Sequence, residues 1–367
     1  MKKVRHVLGI SGGKDSAALA IYMRDNYPHL DIEYYTSDTG KELDETYKLI
    51  DNLEIYLGKK ITRLSAFENS PESPFDHKLM TLGGYLPSPQ HRWCTKALKL
   101  DTFEKFVGSA PVISYVGIRG DEEREGYISK KSNIQSIFPF RRNIWSEDVI
   151  SKFFSNSNIS KTIAFFETGP DLNKNQRIIE ILSTPLSMSY TQSQKLHGLL
   201  ELGIKEFNQM VFSFLKTTNY PLATEAVFPL VDNEDILVID DIFKLLENSG
   251  VGVPGYYKPI EFEVNGRKGT YSRSRSGCYF CFFQQKIEWI WLYEQYPDKF
   301  AQAMEYEKDG YTWNQEETLA ELIEPERIIK IKEEYLNRFE RSKSTKSRYL
   351  VDILEDAEEE GCASCFI

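Results

Sequence analysis

The sequence predicts an α/β protein built on a doubly wound parallel sheet of about five strands, with a helical insertion and a helical carboxy-terminal region. Two observations carry that expectation. Strand-like apolar runs alternate with helical segments over the first 120 residues, which is how parallel strands with helices on both faces read in sequence. A glycine-rich turn, Ser11-Gly12-Gly13-Lys14-Asp15-Ser16, also falls between the first strand and the first helix.

Residues 4–10 are β-rich and run into the Gly-Gly turn. Residues 17–23 are apolar all round, as suits a helix buried against a sheet. A second strand is expected at 32–36, an amphipathic helix at 44–57, and further strands at 61–66 and 112–118. Beyond about residue 128 the pattern changes. Ser146 with Glu147 and Asp148 reads as an N-cap and acidic first turn, opening a helix toward Phe154. Leu196, Leu199, Leu200, Phe207, Met210, Val211 and Phe214 recur at helical spacing over 191–216, and His197 reads there as a packing residue. The Gly-, Tyr- and Phe-rich stretch 252–283 reads as loop, and the chain after 286 as helix. It ends in a basic patch at 341–348, expected to be a solvated linker, then an acidic run and Gly-Cys-Ala-Ser-Cys-Phe-Ile. The expected organisation is a nucleotide-binding core of residues 1–150 plus about 227–300, an insertion at about 151–226, and a region 301–367 with a flexible cysteine-containing tail.

Composition narrows the function classes. The chain has 367 residues, 55 acidic against 45 basic, and a net charge of −10, which disfavours a dedicated duplex-DNA binder. No apolar run approaches the roughly 18 residues of a bilayer span, and the amino terminus has too short an apolar stretch for a secretory signal. Five cysteines, an odd number, speak against a disulfide scaffold and for a cytoplasmic protein with free thiols or metal ligands.

The turn at 11–16 is the strongest chemical signal. Gly12 and Gly13 let backbone N–H groups approach phosphate oxygens, while the helix N-terminus and Lys14 add positive charge. Ser11 and Ser16 offer hydroxyls, and Asp15 can cap the helix or hold a magnesium water. The spacing is not that of a Walker A loop. Cys278 and Cys281 form a C-x-x-C pair, for which zinc, iron–sulfur, redox and inert buried readings all fit. Around them, residues 264–287 hold Arg267, Lys268, Arg273, Arg275 and Lys286 interleaved with Tyr271, Tyr279, Phe280, Phe282 and Phe283. That mixture suits either a single-stranded nucleic acid or a solvated loop over a small aromatic core.

Through these residues the chain resembles the PP-loop ATP pyrophosphatases, whose signature is SGGKDS after a first strand. Further stretches resemble the phosphoadenosine phosphosulfate (PAPS) reductase-like branch, nearest its DndC-type sulfurtransferases. They are Thr36-Ser37-Asp38-Thr39-Gly40 with Glu45-Thr46; Arg92-Trp93-Cys94-Thr95-Lys96; Gly117-Ile118-Arg119-Gly120-Asp121-Glu122 with Arg124; residues 139–149 with Trp145, Glu147 and Asp148; and Ser276-Gly277-Cys278-Tyr279-Phe280-Cys281. Phe228-Pro229-Leu230 with Asp240-Asp241-Ile242 is a second candidate for the proline stretch.

The resemblance implies an adenine nucleotide alpha hydrolase-like (HUP-type) fold. It implies ATP and Mg2+ at Ser11–Ser16, Asp38, Thr39, Gly40 and Gly117, with Arg92, Lys96, Arg119 and Arg124 clamping anionic groups. Lys14, Asp15, Asp38 and Arg119 would be catalytic, and Cys94, Cys278 and Cys281 would surround an iron–sulfur cluster, with zinc as the alternative. The activity implied is adenylation of an acceptor followed by sulfur transfer, with a sulfur donor such as a cysteine desulfurase. The alternatives are a sulfonucleotide reductase using Cys362 or Cys365 on the tail, and a nucleotide-sensing subunit of an antiviral defence system. An intact SGGKDS resembles the adenylating members more than the reductases.

Overall fold

A computed structural model describes residues 3–122, 129–168, 176–308 and 310–344. Five parallel strands form the central sheet in the order β3-β2-β1-β4-β5. They are β1 (Arg5–Gly9), β2 (Ile32–Ser37), β3 (Ile61–Leu64), β4 (Val112–Tyr115) and β5 (Ile134–Ile137). Central β1 pairs His6 with Ile32 on one side and Arg5 with Val112 on the other.

Neighbouring residues along each inner strand go to opposite faces, as the two-residue period of a strand requires. Leu8, Tyr34 and Ile113 join one apolar cluster, and Val7, Tyr35 and Val112 join another. The first face is covered by α1 (Lys14–Asn26) and α2 (Asp44–Leu57). Residues 17–21 and Met23 of α1 are almost wholly buried, and each Leu, Ile or Met so placed contributes about 1.5–3 kcal/mol. Leu49, Ile50, Leu53 and Leu57 make the inward stripe of α2, which ends on left-handed Gly58. After α3 (Pro74–Thr81), the second face is covered by one continuous segment. It runs from α4 (Trp93–Thr95) through a π-helical stretch, Lys96–Leu100, into α5 (Asp101–Val107), where Phe103 stacks on Tyr35 at 5.1 Å. A sheet buried on both faces is what parallel strands demand.

Five helices follow: α6 (Glu147–Phe154), α7 (Ile159–Thr168), α8 (Gln176–Ser183), α9 (Gln192–Leu202) and α10 (Ile204–Leu215). Their apolar sides, among them Phe153, Phe166, Leu199, Phe207 and Phe214, extend the core on the α1 face. Then α11 (Ile239–Asn248) packs against α1. Ser146 does stand at the N-cap of α6, although its side chain makes no capping hydrogen bond among the described residues. His197 is exposed and pairs with Glu201 at 2.9 Å, so it is not a packing residue. The inward position on that helix belongs instead to Lys195, whose ammonium donates to the carbonyls of Leu182 and Thr184 at the end of α8.

The expectation of loop over 252–283 is corrected in part. β6 (Ile260–Val264) and β7 (Arg267–Tyr271) form an antiparallel hairpin. Asn265 and Gly266 turn it with φ of 49° and 74°, the left-handed pair that a tight two-residue hairpin needs. With α12 (Lys286–Gln295), α13 (Pro297–Glu305), α14 (Leu319–Leu322) and α15 (Pro325–Ser344), the hairpin encloses a second core around Trp289, Trp291, Phe300 and Trp313. This core also takes in Leu43, Phe75 and Leu98 from the sheet's carboxyl end. Among the described residues, no helix is long and apolar enough to cross a membrane.

Candidate functional site

The strand order reverses direction between β1 and β4, and the loops leaving those two strands meet there. Gly117, just past β4, lies so close to the start of α1 that a Cβ on it would sit 2.8 Å from the Asp15 carbonyl oxygen. Crevices at such switch points are where open α/β sheets take ligands. On the β1 side, the Ser11 N–H donates to Ser16 Oγ at 3.1 Å, the Gly13 N–H to Ser11 Oγ at 3.3 Å, and Ser16 Oγ to the Gly13 carbonyl at 3.2 Å. Gly12 has φ of +73°, and a Cβ there would meet Thr46 Cγ2 at 2.2 Å. Thr46 is thus the wall that fixes the loop from behind, and glycine is required on both counts.

Lys14, Asp15 and Ser16 are buried. Lys14 Nζ donates to the Ser274 carbonyl at 3.0 Å, lies 3.6 Å from Asp15 Oδ2, and sits 4.7 Å above the Tyr257 ring. Burial pulls this ammonium below its ordinary pKa. Arg119 holds Asp15 at 2.8 Å and reaches Asp121 at 2.9 Å and Glu122 at 3.1 Å. One guanidinium thereby ties the β4 exit to the first turn of α1.

Beside this loop lies a narrow cleft lined by Ser11, Ser37, Asp38, Glu42, Arg63 and Lys99, with Gly277 across it. Its free space is about 20 Å³, enough for about one water. Asp38 Oδ1 accepts from the Gly40 N–H at 2.8 Å and from the Tyr47 hydroxyl at 2.9 Å. Glu42 accepts from Thr39 at 2.6 Å and from Tyr47 at 2.9 Å, and burial pushes its carboxyl pKa up. Thr39 Oγ1 in turn lies 3.2 Å from Cys278 Sγ. Residues 41–42 and 278–279 pair as a short antiparallel bridge, with the Tyr279 N–H donating to the Lys41 carbonyl at 2.8 Å. The carboxyl end of β2 and the C-x-x-C segment are therefore stitched directly together.

Burial pushes the Cys278 thiol up to about 12 and the Cys281 thiol up to about 11, while nearby Lys99 pulls both down. Cys94 is close enough to Cys281 to raise it further. The three predicted cysteines share a neighbourhood, yet among the described residues no three His, Cys, Asp or Glu side chains converge as on a single metal ion. The described thiols as placed do not by themselves make a closed mononuclear metal site. Mg2+ fits the cleft better. Asp38 supplies hard oxygen, the buried Ser37 Oγ has no hydrogen-bond partner among the described residues, and this ion typically takes one or two carboxylates plus phosphate oxygens.

Ser11 to Ser16, Asp38, Thr39, Gly40, Gly117, Arg119, Cys278 and Cys281 thus gather at one end of the sheet. The contacts that Arg92 and Lys96 make among the described residues lie elsewhere. Arg92 lies 4.7 Å over the Phe283 ring, and Lys96 reaches Asp101 at the surface. Arg124, Cys362 and Cys365 lie outside the described residues. The 264–287 stretch is no single basic face. Tyr271, Tyr279 and Phe280 are core, Arg273 is buried, and Arg267 and Lys286 pair with Glu340 and with Glu316 and Glu317. Both candidate proline stretches pack beside the Gly120 loop, since Asn233 donates to the Pro139 carbonyl and Gly120 to that of Leu237.

Sequence reasoning missed Glu42, Lys99, Tyr47 and Tyr257. Lys99 had a signal in its three-residue spacing from Lys96, and the π-helical stretch between them is the kind of irregularity that often marks a site.

The chain matches no model of a known protein family. It is similar to an uncharacterised protein of Methanocaldococcus jannaschii, with 34% identity over 145 residues. That stretch is 36% of this chain and 28% of the length of the archaeal protein.

Proposed function

We propose that the chain is an ATP-dependent sulfur-transfer enzyme that forms AMP and pyrophosphate, of PP-loop type and nearest the PAPS-reductase-like and DndC-type proteins. One observation carries the reading. Ser11 of the Ser-Gly-Gly-Lys-Asp-Ser loop and Gly277, the residue before Cys278, line one cleft at the switch point of a parallel sheet, and the Cys278 thiol lies 3.2 Å from Thr39 Oγ1 on the loop after β2. A phosphate-binding loop alone would suit many nucleotide binders; a half-buried thiol pair beside it favours sulfur chemistry.

In this reading the loop N–H groups and Lys14 hold the ATP phosphates, and Arg119 keeps Asp15 and the first turn of α1 in place. Mg2+, when bound near Asp38, supplies positive charge for the phosphates. An acceptor oxygen bonds to the α-phosphorus as the α–β bond breaks and pyrophosphate leaves. Donors fixed in advance around the developing charge are worth most at that moment. Sulfide brought to the thiol side then bonds to the acceptor atom that carries the adenylated oxygen, and AMP departs with that oxygen. The acceptor is a nucleic acid or a small molecule, and a cysteine desulfurase would be a suitable source of sulfur.

The test is release of AMP from α-labelled ATP with tRNA, DNA and small-molecule acceptors. K14A and D38N should each lower AMP formation by about 10²–10³-fold, the usual cost of one such group. C278S should keep AMP formation while losing label transfer from sulfide. If no acceptor elicits AMP, the reading fails.

A further inference from the structure

We propose that residues 274–277 are a strap that occupies the phosphate loop in the absence of nucleotide, and that phosphate displaces it. The inference rests on the reading that this loop binds nucleotide phosphates. Its ground is a set of oxygens standing where phosphate oxygens would accept. The Ser274 carbonyl takes a hydrogen bond from Lys14 Nζ at 3.0 Å, and the Tyr257 hydroxyl takes the Lys14 N–H at 3.3 Å. Ser276 Oγ lies so close to Gly13 that a Cβ on that glycine would be 2.5 Å away. With the strap in place the neighbouring cleft has about 20 Å³ free, whereas small-molecule sites run to roughly 300 Å³ and more. A phosphate seated on the Lys14 ammonium and against Gly13 would take the places now held by the Ser274 carbonyl and Ser276 Oγ, so it needs the strap to move.

The strap is built to move as a unit. Its ends are tied to each other, since Arg273 Nη2 donates to the Cys278 carbonyl at 3.0 Å, and Arg273 itself is anchored by its N–H on the Tyr256 carbonyl. Between those ends the latch is Glu288, whose Oε1 accepts both the Ser274 N–H at 2.6 Å and the Ser274 hydroxyl at 2.8 Å. Gly277 has φ of +112°, with open space where a Cβ would be, so its glycine answers a need for backbone conformation and not for room. The closed arrangement also leaves the buried Nη1 of Arg273 with no hydrogen-bond partner among the described residues, a standing cost to the closed state.

A ligand that binds only the open form must overcome the closing equilibrium, and weakening the latch removes part of that burden. E288Q keeps the shape of the latch but removes its charge. It should bind ATP–Mg2+ and inorganic pyrophosphate about fivefold more tightly than wild type, charge-assisted hydrogen bonds being roughly twice as strong as neutral ones. G277A, which strains the closed backbone without a clash, should shift affinity in the same direction. In wild type, saturating pyrophosphate should speed amide exchange of the peptide covering 272–278, and in E288Q the exchange should already be fast without ligand. Unchanged or weaker binding in both folded variants, or no change in exchange on pyrophosphate binding to wild type, overturns the strap and leaves the phosphate-loop reading standing. If neither ligand binds wild type or the folded variants, that reading falls and the strap with it.

Discussion

Gly12 concentrates two independent constraints in one residue, a positive φ and a site where any Cβ would fall 2.2 Å from Thr46 Cγ2. G12A should therefore destabilise the fold by about 1–3 kcal/mol, as overpacking does, and should lower ATP turnover more than stability alone explains, because the loop itself must shift. Urea midpoints and AMP release on the same preparation separate the two effects. Lys195 is a different case. Burial pulls its ammonium down to about 8, against the ordinary lysine value in the unfolded chain. Between about pH 8 and 10 the unfolded state binds more protons, so this residue makes folding stability rise with pH across that window. Urea midpoints of wild type minus K195M should grow from pH 8 to 10; a flat difference would show that the ammonium is held at an ordinary pKa by the two carbonyls it caps.

At the scale of elements, the hairpin turn offers the clearest test. Gly266 holds φ of 74°, and G266A should cost about 1 kcal/mol, read as a lower urea midpoint with an unchanged slope. Asn-Gly between alternating residues is a strong local hairpin signal, yet the surrounding abundance of Gly, Tyr and Phe made the stretch read as loop. Strands β1, β2 and β4 and the helix at 44–57 were legible because these inner strands are buried on both faces and α2 has a clean apolar stripe. Strand β5 was not, because Ile134-Gln135-Ser136-Ile137 is wholly buried while half polar. Its Gln135 Oε1 accepts the Leu222 N–H, from a partner 87 residues away that no local pattern announces. The candidate site divides the same way. Contiguous loops such as 11–16 and 38–40 read directly, whereas Tyr257, Ser274 and Glu288 reach the phosphate loop only through tertiary packing.

At the scale of the whole molecule, two cores meet across the cleft, and Glu45 joins them. Its carboxylate, on α2 of the first core, accepts the Gly255 N–H and the Tyr296 hydroxyl, the latter at 2.6 Å; both donors belong to the carboxy-terminal layer. E45A would leave two partly buried donors unpaired, at about 1–3 kcal/mol each, and would weaken the joint while leaving both apolar cores intact. The five tryptophans make the consequence measurable. Trp289, Trp291 and Trp313 are in the second core with Trp93 packed against it, and Trp145 is in the first, so intrinsic fluorescence reports mainly on the second core while far-ultraviolet circular dichroism reports on both. Wild type should unfold with the two signals coincident, as a cooperative unit does. E45A should lose the fluorescence signal at a lower temperature than the dichroism signal. Pyrophosphate, bound to the first core's loop, should raise the wild-type midpoint by mass action but leave the early fluorescence transition of E45A nearly unmoved. Coincident transitions in E45A would mean that the apolar contacts of Leu43, Phe75 and Leu98, and not this carboxylate, hold the two cores together.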